Sequence, residues 1–408
     1  MRMTAGRFCK LIKVSVSDNP KKGEATQSNK YYQMTEKNGQ IEVEYGRVES
    51  TKTIHHYSIY EWDKLYNAKV KKGYKDVTHT VAVEVVTSEK GTVEYATIKE
   101  ATVNNFLTLM KRYTDNLVKS TYSVKATSVT QAQVDEAQAI LDNLKKIDKK
   151  NQKEFNAKLI ELYTIIPRQM RHVQHHLLPS INVDKTLDQE QDNLDAMASQ
   201  VAMLNPKTSK KQEDKKKAET LIDALGISIT EIDKNESDLA YLLKQNFSQY
   251  CKVKTVFKVN KPKEDVIFEN WLKSQKNKQT KILIHGTRCT SVIPILEQGL
   301  KIRPTGNYQF SGKAYGDGNY FSEVMQKSLG YTGRNSDKVI LVYEVHTGNP
   351  FTYDGWYRGN SFSLNYKELS SRGYDSTYVK AGGGLLNSEI IAYREEQCRI
   401  KYIIHLTN

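Results

Sequence analysis

The sequence predicts a multidomain α+β chain: a small module of β-sheet plus one helix, then an all-α helical bundle, then a larger α+β domain. Three patterns predict it. Apolar residues alternate through the first ninety or so positions, recur with a 3.6-residue period from about Ala101 to Gln245, and return to short strand-like runs after Tyr250. At 408 residues the chain has room for two or three domains of roughly 100 to 200 residues, each with its own core.

In the first module, residues 1–90, alternation marks Leu11 to Ser17, Tyr31 to Thr35 and Ile41 to Val48 as strands, with polar turns at Asn19-Pro20 and Asn38-Gly39. Ser58 to Val70 then sets Ile59, Trp62, Leu65, Tyr66 and Val70 at helical spacing, and Gly73 follows where a C-terminal cap belongs. Residues 101–246 read as helical throughout. Phe106, Leu107, Leu109 and Met110 open the region, and Val134 to Ile147 and Phe155 to Ile166 continue the period. Lysine-rich Asn205 to Lys217 is a solvated connection within it. In residues 250–408, strands are expected at Val253 to Val259, Lys281 to His285, Val339 to His346, Ile390 to Tyr393 and Ile400 to Leu406.

Lys and Arg number 61 against 47 Asp and Glu, a formal net charge of +14 that suggests a polyanion such as nucleic acid, although surplus lysine also serves solubility. No run approaches the roughly 18 apolar residues of a membrane span, and Met1 to Asp18 lacks a signal-peptide core, so the chain is expected to stay inside the cell, without a membrane partner. Cys9, Cys251, Cys289 and Cys398 stand far apart, which indicates reduced thiols rather than a disulfide framework or a zinc site. His172, His175 and His176 lack the Cys or carboxylate that would complete a ligand set, so no metal is predicted.

Chemistry concentrates in the last third. The apolar run KILIH delivers His285 to the end of a strand beside Gly286, Thr287 and Arg288, and a helix over Val292 to Gln298 follows. A histidine so placed either meets a ligand or is simply satisfied by hydrogen bonds. Gly306, Gly312, Gly316 and Gly318 crowd one loop that ends in Tyr320-Phe321-Ser322, where Ser322 is placed to cap a helix through Met325 to Leu329 ahead of Tyr331. The spacing is neither a dinucleotide-binding GxGxxG nor a phosphate-binding P-loop; a glycine lip at a ligand site and a flexible loop over core aromatics both fit. Glu389 opens the apolar run Ile390-Ile391-Ala392. A buried carboxylate there costs several kcal/mol unless partnered, which points to function unless the strand end is exposed.

Three segments, IHGTR (284–288), GKAYGDGNYFSEVMQKSLGY (312–331) and NSEIIAYREEQCRIKYII (387–404), together resemble the catalytic domain of the poly(ADP-ribose) polymerases. His285, Tyr320 and Glu389 match that family's His-Tyr-Glu triad, with Ser328 and Tyr331 at matching offsets. Upstream, KYYQMTEKNGQIEVEYGRV (30–48) and YEWDKLYNAKVKKGYKDV (60–77) resemble the family's WGR domain, a DNA-end-binding module, with Tyr45 in place of its Trp. LYTIIPRQM (162–170) and HHLLP (175–179) are similar to the regulatory helical domain.

The resemblance implies NAD+ as substrate, no metal, and transfer of ADP-ribose to protein acceptors including the enzyme itself. Glu389, His285 and Tyr320 would be catalytic, and His285, Gly286, Thr287, Tyr320, Ser328 and Tyr331 would bind NAD, its nicotinamide stacked between the two tyrosines. A glutamate at the third triad position implies chain elongation. DNA with strand breaks would stimulate the enzyme as part of a damage response, through Tyr45, Arg47, Lys52 and Lys75, by loosening the helical domain. The expected location is then a nucleus in a eukaryote and otherwise the cytoplasm or nucleoid. Two alternatives stay open: a mono-ADP-ribosyltransferase, and a catalytically weak DNA-end-binding scaffold. Asp317 and Asn319 depart from the family, standing where a basic and an apolar residue are usual.

Overall fold

A computed structural model describes residues 7–16, 27–47, 52–78, 95–204, 219–235, 239–245, 251–308, 313–353, 364–382 and 385–408. The turn at Asn19-Pro20, the lysine-rich segment 205–217 and Gly312 lie outside them. Two compact units divide the chain: Met1–Val93 with Asn116–Asn205, and Glu94–Asp115 with Pro206–Asn408.

In the first unit, β1 (Phe8–Val16), β2 (Gln27–Lys37), β3 (Gln40–Arg47), β4 (Thr53–Ser58) and the two-residue β5 (Lys75–Asp76) form an antiparallel sheet in the order β4-β3-β2-β1-β5. Asn38 and Gly39, both with positive φ (50° and 76°), close the β2–β3 hairpin as a two-residue turn of the hand that matches strand twist. Strand β4 (TIHHYS) carries only partly buried and exposed side chains, so no apolar alternation announced it. Helix α1 (Trp62–Lys71) lays Trp62 onto Leu11, Met34, Ile41 and Val43, and the Tyr74 N–H donates to Lys69 O (3.1 Å) to close it around Gly73. Val70, expected on the buried face, is 42% exposed.

The helical segment opens with α2 (Ala101–Thr121), whose residues up to Asp115 belong to the second unit. Helix α3 (Gln131–Leu144) starts from a complete capping box, in which the Thr130 hydroxyl accepts from Gln133 N–H and the Gln133 side chain accepts from Thr130 N–H. Helices α4 (Gln152–Ile165) and α5 (Val183–Leu204) follow. Between them Arg168 is buried, ion-paired with Glu190, with its guanidinium 4.0 Å over the Tyr122 ring. The helical pattern ends sooner than the sequence suggested. After α6 (Leu221–Leu225), Ser228–Ile232 forms strand β6, where buried Ile229 sits between exposed Ser228 and Thr230. A period of two over so short a run is easily lost beside helical neighbours.

The second unit continues with α7 (Ala240–Leu243), β7 (Lys252–Asn260), α8 (Pro262–Ser274), β8 (Thr280–Thr287), α9 (Cys289–Gln298), β9 (Asn319–Phe321), α10 (Met325–Leu329), β10 (Asp337–His346), β11 (Pro350–Tyr353), α11 (Tyr366–Ser371), β12 (Ser376–Val379), β13 (Glu389–Ala392) and β14 (Cys398–Thr407). One antiparallel sheet runs β6-β7-β14-β10-β8, and a second, mixed sheet runs β11-β12-β13-β9, with β11 parallel to β12. All five strands expected here are present; the short β9, β11 and β12 were not foreseen. The four cysteines are buried free thiols, and burial pushes Cys9 and Cys289 up to about 12.

Two substitutions test the first core. Met34→Ala removes a fully buried side chain and should cost about 2–5 kcal/mol, whereas Val70→Ala at an exposed position should cost under about 1 kcal/mol. Urea-unfolding midpoints compare them; equal shifts would contradict this packing.

Candidate active site

Backbone pairing brings three distant segments together. Ile284 on β8 and Ser322, just past β9, exchange two hydrogen bonds: Ile284 N–H to Ser322 O (3.0 Å) and Ser322 N–H to Ile284 O (2.9 Å). On its other side β9 pairs antiparallel with β13, Tyr320 opposite Ile391 and Phe321 opposite Ile390. His285 follows the seam residue on β8, Tyr320 stands within β9, and Glu389 is the first residue of β13. His285 lies inside its strand rather than at the end, because pairing with β10 continues through Thr287.

The imidazole is fixed by Tyr320. His285 Nδ1 is 2.9 Å from the Tyr320 carbonyl, an obligate acceptor, so Nδ1 carries the proton and Nε2 is left as the second polar atom of the ring. Burial holds the His285 pKa below the ordinary imidazole value, against the pull of that carbonyl, which keeps the ring neutral at pH 7. The Tyr320 phenol accepts from Tyr315 N–H (2.8 Å) and donates to Gly316 O (2.8 Å), and burial pushes its pKa far above the usual tyrosine value.

Gly286 lies against α10. A Cβ placed on it would stand 1.8 Å from the Ser328 carbonyl oxygen, so only glycine lets the strand and this helix approach so closely. Ser328 and Thr287 are buried there, and Tyr331, just beyond α10, is 41% exposed. Ser322 does not cap α10 as expected. Its hydroxyl accepts from Val324 N–H (3.0 Å), and the Gln245 side chain caps the helix by accepting from Met325 N–H (2.9 Å).

Glu389 is buried at 5% exposure, which decides against an exposed strand end, and its partner is a residue the sequence does not single out. Lys327 Nζ lies 2.8 Å from Glu389 Oε1 and also donates to Asn387 O (3.0 Å). The signal available was position: Lys327 directly precedes Ser328 on the helix that carries the other expected contacts. The carboxylate's field reaches the aromatics as well. Burial first, and Glu389 second, raise the Tyr331 pKa.

The two departures in the glycine loop have structural work. Asp317 Oδ1 accepts from both Thr305 N–H and Thr305 Oγ1–H (2.9 Å each), and Asn319 Nδ2 donates to Leu300 O (3.0 Å). Both side chains tie the loop down beside Tyr320.

The residues expected to meet DNA are only partly brought together. Tyr45 stacks on His55 (5.7 Å) and beside Tyr32 (5.9 Å), with Lys69 Nζ 4.0 Å over the Tyr32 ring. Arg47 ends the same strand. Lys52 is exposed and pairs with Glu44 (3.1 Å). Lys75 sits on β5 at the far edge, separated from β3 by β2 and β1, about 14 Å at ordinary strand spacing. Among the described residues no group of three or more His, Cys, Asp or Glu could hold a metal, and no helix is long and apolar enough to cross a membrane.

A family model for the poly(ADP-ribose) polymerase catalytic domain matches residues 234–355, a span that contains His285 and Tyr320 and ends before Glu389. The poly(ADP-ribose) polymerase-like protein 100L of Invertebrate iridescent virus 6 is 52% identical over 176 residues, covering 43% of this chain and 97% of that protein. This chain belongs to the poly(ADP-ribose) polymerase family. It is an ADP-ribosyltransferase that uses NAD+ as substrate. Protein 101L of the same virus, uncharacterized, is 41% identical over 196 residues, 48% of this chain and 77% of that protein. Poly(ADP-ribose) polymerase 2 of Arabidopsis thaliana is 32% identical over 162 residues; the match takes 33% of this chain and about a quarter (24%) of the plant enzyme.

The buried pair offers a direct test of the site's electrostatics. Lys327→Met strands a buried carboxylate and should destabilise by roughly 3–5 kcal/mol, while adding Glu389→Gln to it should restore much of the loss. Chemical denaturation of both single variants and the double variant reads the coupling. Additive effects would contradict the pairing.

Proposed function

We propose that the chain is a DNA-break-stimulated poly(ADP-ribose) polymerase that modifies protein acceptors, itself included, with Glu389, His285 and Tyr320 as its catalytic residues. The observation that carries the reading is Glu389, buried yet ionically held by Lys327 at the start of β13, one strand from Tyr320. Gly286 lets β8 lie against α10, which carries the buried Ser328, so Gly286 backbone groups and the Ser328 hydroxyl would hold the carboxamide, with Tyr320 and Tyr331 providing faces for a nicotinamide ring. Thr287 completes the wall of β8. His285, neutral and oriented through Nδ1, presents Nε2 to the adenine-side ribose hydroxyls.

In the reaction the bond between ribose C1′ and the nicotinamide nitrogen breaks, and its electron pair leaves with nicotinamide. Positive charge then develops on the ribose, and the buried Glu389 carboxylate stabilises it. The acceptor hydroxyl oxygen forms the new bond to C1′, its proton passing to solvent or to the carboxylate that orients it. A carboxylate able to orient a ribose hydroxyl as readily as a protein side chain supports elongation as well as initiation.

DNA recognition is assigned to the first unit, read as a WGR module, with the helical segment as the regulatory domain that DNA docking loosens. Within the sheet, Tyr45 and Arg47 share one end of β3, where the Tyr45 ring joins His55 and Lys69 in an aromatic and basic surface suited to a nucleotide end. Lys52 is a weaker contact because Glu44 already engages it, and Lys75, at the other edge, would touch only a longer duplex.

Labelled NAD, with and without nicked DNA, tests the proposal. The expected product is slowly migrating polymer, increased by DNA in the native chain and less so in Arg47→Ala. Attachment of single ADP-ribose units alone would contradict polymerisation, and equal yield with and without DNA would contradict stimulation.

A further inference from the structure

A second cavity, of about 400 Å³, opens in the second unit away from the residues above, between one face of α2 and strands β7 and β14. Its electrostatics are one-sided. Arg112 from α2 and Lys254 from β7 both line it, and no carboxylate lines the cavity among the described residues. Neither cation has an ion-pair or hydrogen-bond partner among those residues, whereas Lys327, Arg168 and Arg399 all pair with carboxylates. Uncompensated cations lining one hollow favour an anion, and two of them favour a divalent one.

The rest of the lining narrows the ligand. Asn105, Thr108 and Thr255 offer amide and hydroxyl groups to a polar molecule, and the floor is aromatic. Phe106 lies 4.7 Å from Phe257 and 5.3 Å from the His405 ring, measured between centroids. His405 is itself held by Asp337 (2.9 Å); burial, with Lys254 acting in the same direction, keeps its pKa low, so the floor is uncharged at neutral pH. A bare phosphate would leave most of the space to water, since 400 Å³ is room for about a dozen waters at roughly 30 Å³ each. A small organic molecule that joins phosphates to polar and flat portions fills it better.

We propose that this cavity binds a nucleoside diphosphate group, its phosphates held between Arg112 and Lys254. Two sources carry that chemistry, a free nucleotide and an ADP-ribosyl group; only the second rests on the proposed polymerase reading. The site stands apart from the triad, so its occupancy leaves the catalytic residues in place.

Equilibrium titration of the full chain with ADP, ADP-ribose and inorganic phosphate tests it, using the native protein and Arg112→Ala/Lys254→Ala. Both side chains are exposed, so the double variant loses charge rather than core packing, and its unchanged NAD consumption reports an intact fold. The expected result is an ADP-binding event at least tenfold tighter than phosphate, weakened at least tenfold in the double variant and by raised salt. A second variant, Asn105→Trp, keeps both charges but puts a bulky ring on an exposed lining position, and should lose the same event. ADP tighter than ADP-ribose assigns the site to free nucleotide, and the reverse assigns it to ADP-ribosyl groups. Isotherms for ADP and ADP-ribose that superimpose between native and variant proteins would overturn the proposal, as would equal affinity for ADP and phosphate. Neither result bears on polymer formation by the triad.

Discussion

Two backbone hydrogen bonds between Ile284 and Ser322 hold the catalytic region together. They join β8, from one sheet, to the end of β9, from the other, and every expected active-site contact is placed relative to that seam. His285 leaves it on β8, Tyr320 precedes it on β9, and β13 extends the second sheet to present Glu389. Because backbone groups make the seam, side chains around it are free to serve chemistry. The cost is steric: Gly286 has to let α10 within a distance that no Cβ permits. The strand pairing and the bare glycine are therefore two parts of one constraint.

Charge is placed with equal economy. A buried carboxylate is costly unless it is paired, and Lys327 pairs with Glu389 from the helix that also carries Ser328. The pair holds a negative charge at the place the proposed reaction assigns to developing positive charge, and anchors α10 to the start of β13. Asp317 and Asn319 are spent differently. Both hydrogen-bond to the segment 300–305, which fixes the glycine loop beside the Tyr320 ring.

Much of this was legible in the sequence because it depends on strong local periodicity. The long buried strands β7, β8, β10 and β14 read clearly, and Asn38-Gly39 specified its hairpin. What escaped detection was short or lacked an apolar face: β4, whose side chains are mostly exposed, and β6, β9, β11 and β12, each too brief to show a period. The candidate site residues His285, Tyr320 and Glu389 are marked in the sequence only by a resemblance carried by three segments, since none has a spacing that signals chemistry alone. Lys327 was missed because its importance arises only when folding sets α10 beside β13. Lys75 is joined to Arg47 only by the family resemblance, and the strand order places the two on different strands with β2 and β1 between them.

The central claim is that the buried, Lys327-paired carboxylate of Glu389 stabilises the reaction's developing charge. Steady-state kinetics of NAD consumption by Glu389→Gln test it most directly. Loss of one well-placed electrostatic group of this kind predicts a fall in kcat of about 100- to 1000-fold, or about 3–4 kcal/mol, with KM for NAD changed only a few fold. An unchanged kcat, or a loss confined to KM, would contradict it.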